Sequence, residues 1–161
     1  MEAGNSAAAG VAAAENLELV ITRIFEAPRS LVFKAWADPE HMVRWFGPKG
    51  FTSTIVGKID VRPGASYRIH MRGPDGDDHW SQGVYREIVE PERLAFAGCW
   101  ADAEGKPKGP ESTITVTFED LGGKTRLTLR QRVFESVSAR DAHRGGWTSS
   151  LERLAEYLTT V

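Results

Sequence analysis

Six consecutive segments between residues 51 and 134 read as strands, three of them alternating apolar with polar side chains, and turn sequences separate most of them. No other feature limits the possible folds as strongly. Residues 66–72 show it most cleanly, with Tyr67, Ile69 and Met71 set against Arg68, His70 and Arg72. Successive side chains of a strand point to opposite faces, so this spacing predicts a sheet with one buried face. Residues 52–58, 79–89, 93–100, 112–119 and 125–133 supply the other strands. Arg62-Pro63-Gly64, Gly73-Pro74-Asp75-Gly76, Glu90-Pro91-Glu92 and Leu121-Gly122-Gly123-Lys124 read as turns, and residues 102–110 as a longer polar loop. Strands joined by connections this short pair antiparallel, which predicts a meander.

Other elements flank this block. Residues 17–25 form a further strand, which Ala27-Pro28 ends. Leu31, Val32, Ala35 and Trp36 share one helical stripe. Asp38-Pro39 starts a second short helix as N-cap and first helical residue, and Phe46-Gly47-Pro48 stops it after Trp45. A long helix follows over residues 138–158, with Ser138 as the expected N-cap. Trp147, Leu151, Leu154 and Leu158 lie on its apolar face, and His143 and Ser150 share that face. Gly145 and Gly146 lie inside this helix, where each costs roughly 1 kcal/mol relative to alanine. The expectation is that they let the helix press closely against the sheet. The order is strand, two short helices, six strands, long helix. It predicts an α+β fold: a bent seven-stranded antiparallel sheet with the C-terminal helix across its concave face. Gly57, Gly83 and Gly98 mark places where the sheet bends or a neighbour comes close.

A chain of 161 residues favours one domain, here residues 17–161. Residues 1–16 are rich in alanine and glycine and lack the charged and apolar regions of a signal peptide, so a disordered tail is expected. The net charge of -2 argues against a nucleic-acid surface. No apolar run reaches the roughly 18 residues of a membrane span, and a cytoplasmic location follows by default. Cys99 is the only cysteine, so it has no partner within the chain and reads as a buried, inert thiol. His41, His70, His79 and His143 show no metal-ligand spacing, and no metal or cofactor is expected. Nucleophile-elbow, phosphate-loop and dinucleotide signatures are missing from the sequence.

Several segments, taken together in order and spacing, resemble a known family. They are Ile24-Phe25-Glu26-Ala27-Pro28 with Val32-Phe33-Lys34-Ala35-Trp36, and Asp38-Pro39 with Arg44-Trp45-Phe46-Gly47-Pro48. Arg62-Pro63-Gly64, Met71 through Gly76, Gly83 through Ile88, Pro91 through Leu94, and Gly146-Trp147 complete the set. Over nearly the whole chain they resemble the helix-grip fold of the START and birch-pollen-allergen (SRPBCC) superfamily, in the AHSA-type branch named after activators of the heat-shock chaperone ATPase. The resemblance implies a fold with an internal cavity. It also raises a chaperone partner, although the alanine-rich tail stands where the chaperone activators carry an additional domain.

The expected function is a binding module that encloses a small hydrophobic ligand between the sheet and the long helix. Aromatic residues suit such walls. The candidate lining residues are Trp45, Phe46, Tyr67, Met71, Trp80, Tyr85, Phe96, Trp100, His143, Trp147 and Leu151. Tyr67, His70, Tyr85, Arg130, Gln131 and His143 form the polar complement, with His143 the foremost inward polar group. Two alternatives stand beside this reading. One is a cyclase, dehydratase or hydrolase using His143 or Tyr67 for acid–base work in the same cavity. The other is an interaction protein of the stress response. An edge strand or the first helix offers a surface for a homodimer, and nothing in the sequence selects one.

Overall fold

The computed structural model describes residues 17–132, 134 and 136–161. The expected tail over residues 1–16 lies outside them, as does Val133 at the end of the last predicted strand. The elements run β1 (Leu19–Phe25), α1 (Arg29–Ala37), α2 (Pro39–Trp45), β2 (Thr52–Ile55), β3 (Ser66–Arg72), β4 (Asp78–Val89), β5 (Arg93–Ala101), β6 (Ser112–Asp120), β7 (Thr125–Arg132) and α3 (Val137–Leu158). The strands form a seven-stranded sheet in the order β1-β7-β6-β5-β4-β3-β2, with every neighbouring pair antiparallel. This is the predicted α+β helix-grip architecture. No helix among the described residues is long and apolar enough to cross a membrane.

Local chemistry sets most boundaries. Asp38 caps α2 by accepting from the Glu40 amide at 3.0 Å, and Pro39 occupies the first turn, where its missing N–H costs nothing. The cap of α3 is Ser136 rather than Ser138: its backbone is extended, and its hydroxyl accepts from the Ala139 amide at 3.0 Å. Ser138 is already inside the first turn, two residues too late to serve. Strand β2 ends at Ile55 rather than at residue 58, because Gly57 adopts a φ of 79° that a strand cannot continue.

One core lies between the concave sheet face and the helices. Leu94, Val116, Leu127 and Leu129 from the sheet meet Val32 and Trp36 of α1 and Leu151, Leu154 and Leu158 of α3. Each such side chain contributes about 1.5–3 kcal/mol by leaving water. Trp45 is wholly buried at the end of α2, and its indole N–H donates to the Ala35 carbonyl at 3.0 Å. This bond and the Trp36–Trp45 ring contact at 4.7 Å fix the two short helices against each other.

The glycines divide into two kinds. Gly83 and Gly98 face each other across β4 and β5. A methyl group on Gly83 would collide with the Ala97 carbonyl, and one on Gly98 with the Tyr67 hydroxyl. Close approach therefore occurs here. It does not occur at Gly145 and Gly146, which corrects the expectation for α3. A Cβ on Gly145 would meet nothing within 4 Å, and one on Gly146 only Pro48 Cγ at 3.9 Å. Gly146 borders open space, since α3 stands away from the sheet at this point.

Candidate functional site

That open space is a cavity of about 390 Å³ between the concave sheet face and the first half of α3. Strand register brings its floor together. Met71 pairs with His79, Ser81 with Trp100, Gly98 with Ser112, Phe96 with Ile114, and Ile114 with Gln131. All of these residues line the cavity, in a band that crosses five strands. Ala139, Ala142, His143, Gly146, Trp147 and Ser150 of α3 form the roof, with Phe134 before it. Phe46, Gly47, Pro48 and Phe51 form one lip, and Lys108, Gly109 and Pro110 of the β5–β6 loop form another.

The first lip is strapped to α3. Arg153 donates to the carbonyls of Gly47 at 2.9 Å, Pro48 at 3.1 Å, and Phe46 and Arg44 at 3.3 Å. These carbonyls belong to the end of α2 and the turn after it, where helix geometry leaves acceptors without partners. The Lys49 amide donates to Ser149 Oγ at 2.8 Å, and the Lys49 ammonium reaches Glu152 at 3.2 Å.

Two polar chains cross the cavity wall. The Trp147 indole N–H donates to Gln131 Oε1 at 2.7 Å, and Gln131 Nε2 donates to Ser112 Oγ at 2.8 Å. Gln131 is only 3% exposed, so leaving its amide unpaired would cost about 1–3 kcal/mol. In the second chain the Trp100 indole N–H donates to His143 Nε2 at 3.2 Å, while His143 Nδ1 lies 2.8 Å from the Ala139 carbonyl. A carbonyl can only accept, so Nδ1 carries the proton and Nε2 spends its lone pair on Trp100. His143 is thus held as one neutral tautomer. Burial raises the Tyr67 phenol above its ordinary range, nearby Tyr85 adds to this, and a hydrogen bond with the Ser81 side chain works against it. Burial also raises the Cys99 thiol, with a smaller contribution from Glu111. Cys99 is half-buried at the cavity wall rather than fully buried as its sequence position suggested.

Seven of the residues named from the sequence line the cavity: Phe46, Tyr67, Met71, Phe96, Trp100, His143 and Trp147. Four do not. Trp45 belongs to the core behind Phe46, with ring centroids 6.0 Å apart. Trp80 lies on the convex face, because strand alternation opposes it to its neighbours His79 and Ser81. There it stacks on His70 at 4.8 Å, with the Arg68 guanidinium 5.8 Å from its centroid. Tyr85 borders a separate void of about 20 Å³ beside Trp36 and Leu94. Leu151, one turn beyond Trp147, is 1% exposed and packs into the core. The sequence reading missed Ser81, Ser112 and Lys108. Alternation with Ile114 and Val116 carried the signal for Ser112. Lys108 sits in an irregular loop that carries no periodic signal.

The chain matches the family model described as Activator of Hsp90 ATPase homolog 1-like protein over residues 26–159. A protein from Arthrobacter aurescens has a similar structure, with a TM-score of 0.81 at 28% identity over 92% of this chain and 89% of that one. A Mycobacterium smegmatis protein gives 0.78 at 28% over 92% and 94%. The AHSA1 protein from Silicibacter pomeroyi gives 0.79 at 26% over 89% and 98%. No curated protein matches the chain. The family match, the fold and these relatives agree: this chain belongs to the Activator of Hsp90 ATPase homolog 1-like family of the SRPBCC superfamily, whose helix-grip fold is known for ligand binding.

Proposed function

We propose that this domain is a binding module that encloses one small, largely apolar molecule between the sheet and α3. The observation that carries this reading is the cavity of about 390 Å³, walled by Phe46, Met71, Phe96, Trp100, Ile114 and Trp147. Ligand sites of small molecules run from about 300 to 1,000 Å³ with mainly apolar and aromatic walls, so size and lining both fit. Gly146 of α3 supports the same reading. Gly145 and Gly146 each weaken the helix by about 1 kcal/mol and relieve no clash, and Gly146, the one of the two that lines the cavity, keeps its part of the roof free of a side chain.

The polar groups of the cavity interior favour binding over catalysis. His143 Nε2 is engaged by Trp100, Gln131 is engaged at both ends, and the raised Tyr67 phenol and Cys99 thiol stay protonated near neutral pH. A general base needs a free lone pair within reach of substrate, and a thiol nucleophile needs its thiolate. The chaperone connection rests on the family's description alone and is not part of this reading.

Methyl NMR during titration with naphthol tests the proposal. The methyl signals of Met71 and Ile114, on the cavity wall, are expected to shift, while those of Val20 and Ile24, on the outer face of β1, stay fixed. No shift in Met71 and Ile114, or shifts confined to β1, would overturn it.

A further inference from the structure

We infer that the ligand is an amphipathic acid, lying with its apolar body inside the cavity and its ionised group at the mouth beside Lys108. This inference rests on the ligand-binding reading above and adds the charge and orientation of the ligand.

The charges around the cavity have one sign. Among the described residues no aspartate or glutamate lines it, and Lys108 is the one lysine or arginine that does. Lys108 is exposed and forms no ion pair among the described residues, unlike Lys49 and Lys124, which pair with glutamates. Its place at the mouth is fixed by the backbone. The Lys108 amide donates to the Trp100 carbonyl at 2.8 Å, and Ala101 and Pro107 form an isolated antiparallel bridge. The β5–β6 loop is thus pinned back onto the end of β5, and the lysine stays beside the opening.

The floor has a different character. Its interior polar groups are the hydroxyls of Tyr67, Ser81 and Ser112 and the amide of Gln131, all neutral, while the imidazole of His79 lies at the exposed edge of the floor. An ionised group buried among neutral dipoles without a counter-charge is strongly disfavoured. At the mouth the same group keeps part of its hydration and gains the ammonium of Lys108. The solvent-exposed setting makes that gain modest, on the order of a fivefold change in affinity.

Two probes with one bicyclic body separate this inference from the reading beneath it. Naphthoate carries a carboxylate where naphthamide carries a neutral amide of similar shape. Calorimetric titration is run at about pH 8, and Lys108 is the cation tested by substitution. Wild-type protein is expected to bind naphthoate about fivefold more tightly than naphthamide, and added salt to erase the difference. Lys108→Gln brings the ratio to about one, and Lys108→Glu inverts it. Equal affinity of the wild type for both probes overturns the inference and leaves the binding reading standing. So does a naphthoate preference that survives Lys108→Gln. Failure of both probes to bind overturns the two together.

Discussion

At the scale of single residues, glycines in this chain serve opposite ends, and the same substitution separates them. Alanine at Gly98 would thrust a methyl group into the Tyr67 hydroxyl and to 2.7 Å from the Gln82 carbonyl. The backbone cannot yield cheaply there, so Gly98→Ala is expected to destabilise the protein by about 2 kcal/mol, read as a lower urea midpoint with unchanged slope. Alanine at Gly146 meets only Pro48 at ordinary contact distance. Helix propensity then dominates, and Gly146→Ala is expected to stabilise the protein by about 0.5–1 kcal/mol in the same measurement. Sequence alone could not tell these cases apart. Propensity shows that a helical glycine is costly, but only the position of α3 relative to the sheet shows whether it relieves a clash or leaves room.

At the scale of elements, ion pairs and caps decide which segments stay in place. Arg153 holds four carbonyls at the end of α2 and in the turn after it. Arg153→Met keeps much of the side-chain volume and removes these charge-assisted bonds. The expected result is a loss of about 2 kcal/mol, with faster amide exchange over residues 46–51. The β3–β4 hairpin carries a pH-dependent tie. Arg72 and His70 both bond Asp78 at 2.8 Å, and these bonds lower its carboxyl to about 2. A carboxyl depressed on folding contributes stability above its unfolded value of about 3.9 and loses it as pH falls toward 2. Asp78→Asn is therefore expected to flatten the dependence of Tm on pH between about 4 and 2, checked by thermal melts across that range. The strands themselves were plain in the sequence, because alternation and turn residues act locally. The α3 cap was misplaced by two residues because Ser136 and Ser138 are equally good N-caps in isolation. Only the extended backbone at Ser136 selects between them.

At the scale of the whole molecule, the fold was readable and the cavity only in part. The order of elements, the seven-stranded antiparallel sheet and the helix across it all follow from short-range periodicity. The cavity depends on which strand faces meet which helix face. Tyr67 and Met71 came through because alternation puts them on one face with Ile69, whereas Phe96 lies in a strand that is apolar almost throughout and shows no such pattern. Trp80 was misassigned because an aromatic residue on an outer face looks the same in sequence as one on an inner face. Its neighbours Arg68 and His70 shelter it on the convex side. Lys108 was invisible because loop placement is set by tertiary contacts. The account's central claim is that the space beside Gly146 and Trp147 is the binding site. Calorimetric titration of naphthol into wild type and Gly146→Leu tests it most directly. A Cβ at this position meets only Pro48 at ordinary contact distance, so the variant is expected to keep its circular dichroism and its Tm within a few degrees while its side chain takes up part of the cavity. The account predicts one naphthol bound per wild-type molecule and clearly weaker binding by the folded variant; equal binding by both would contradict it.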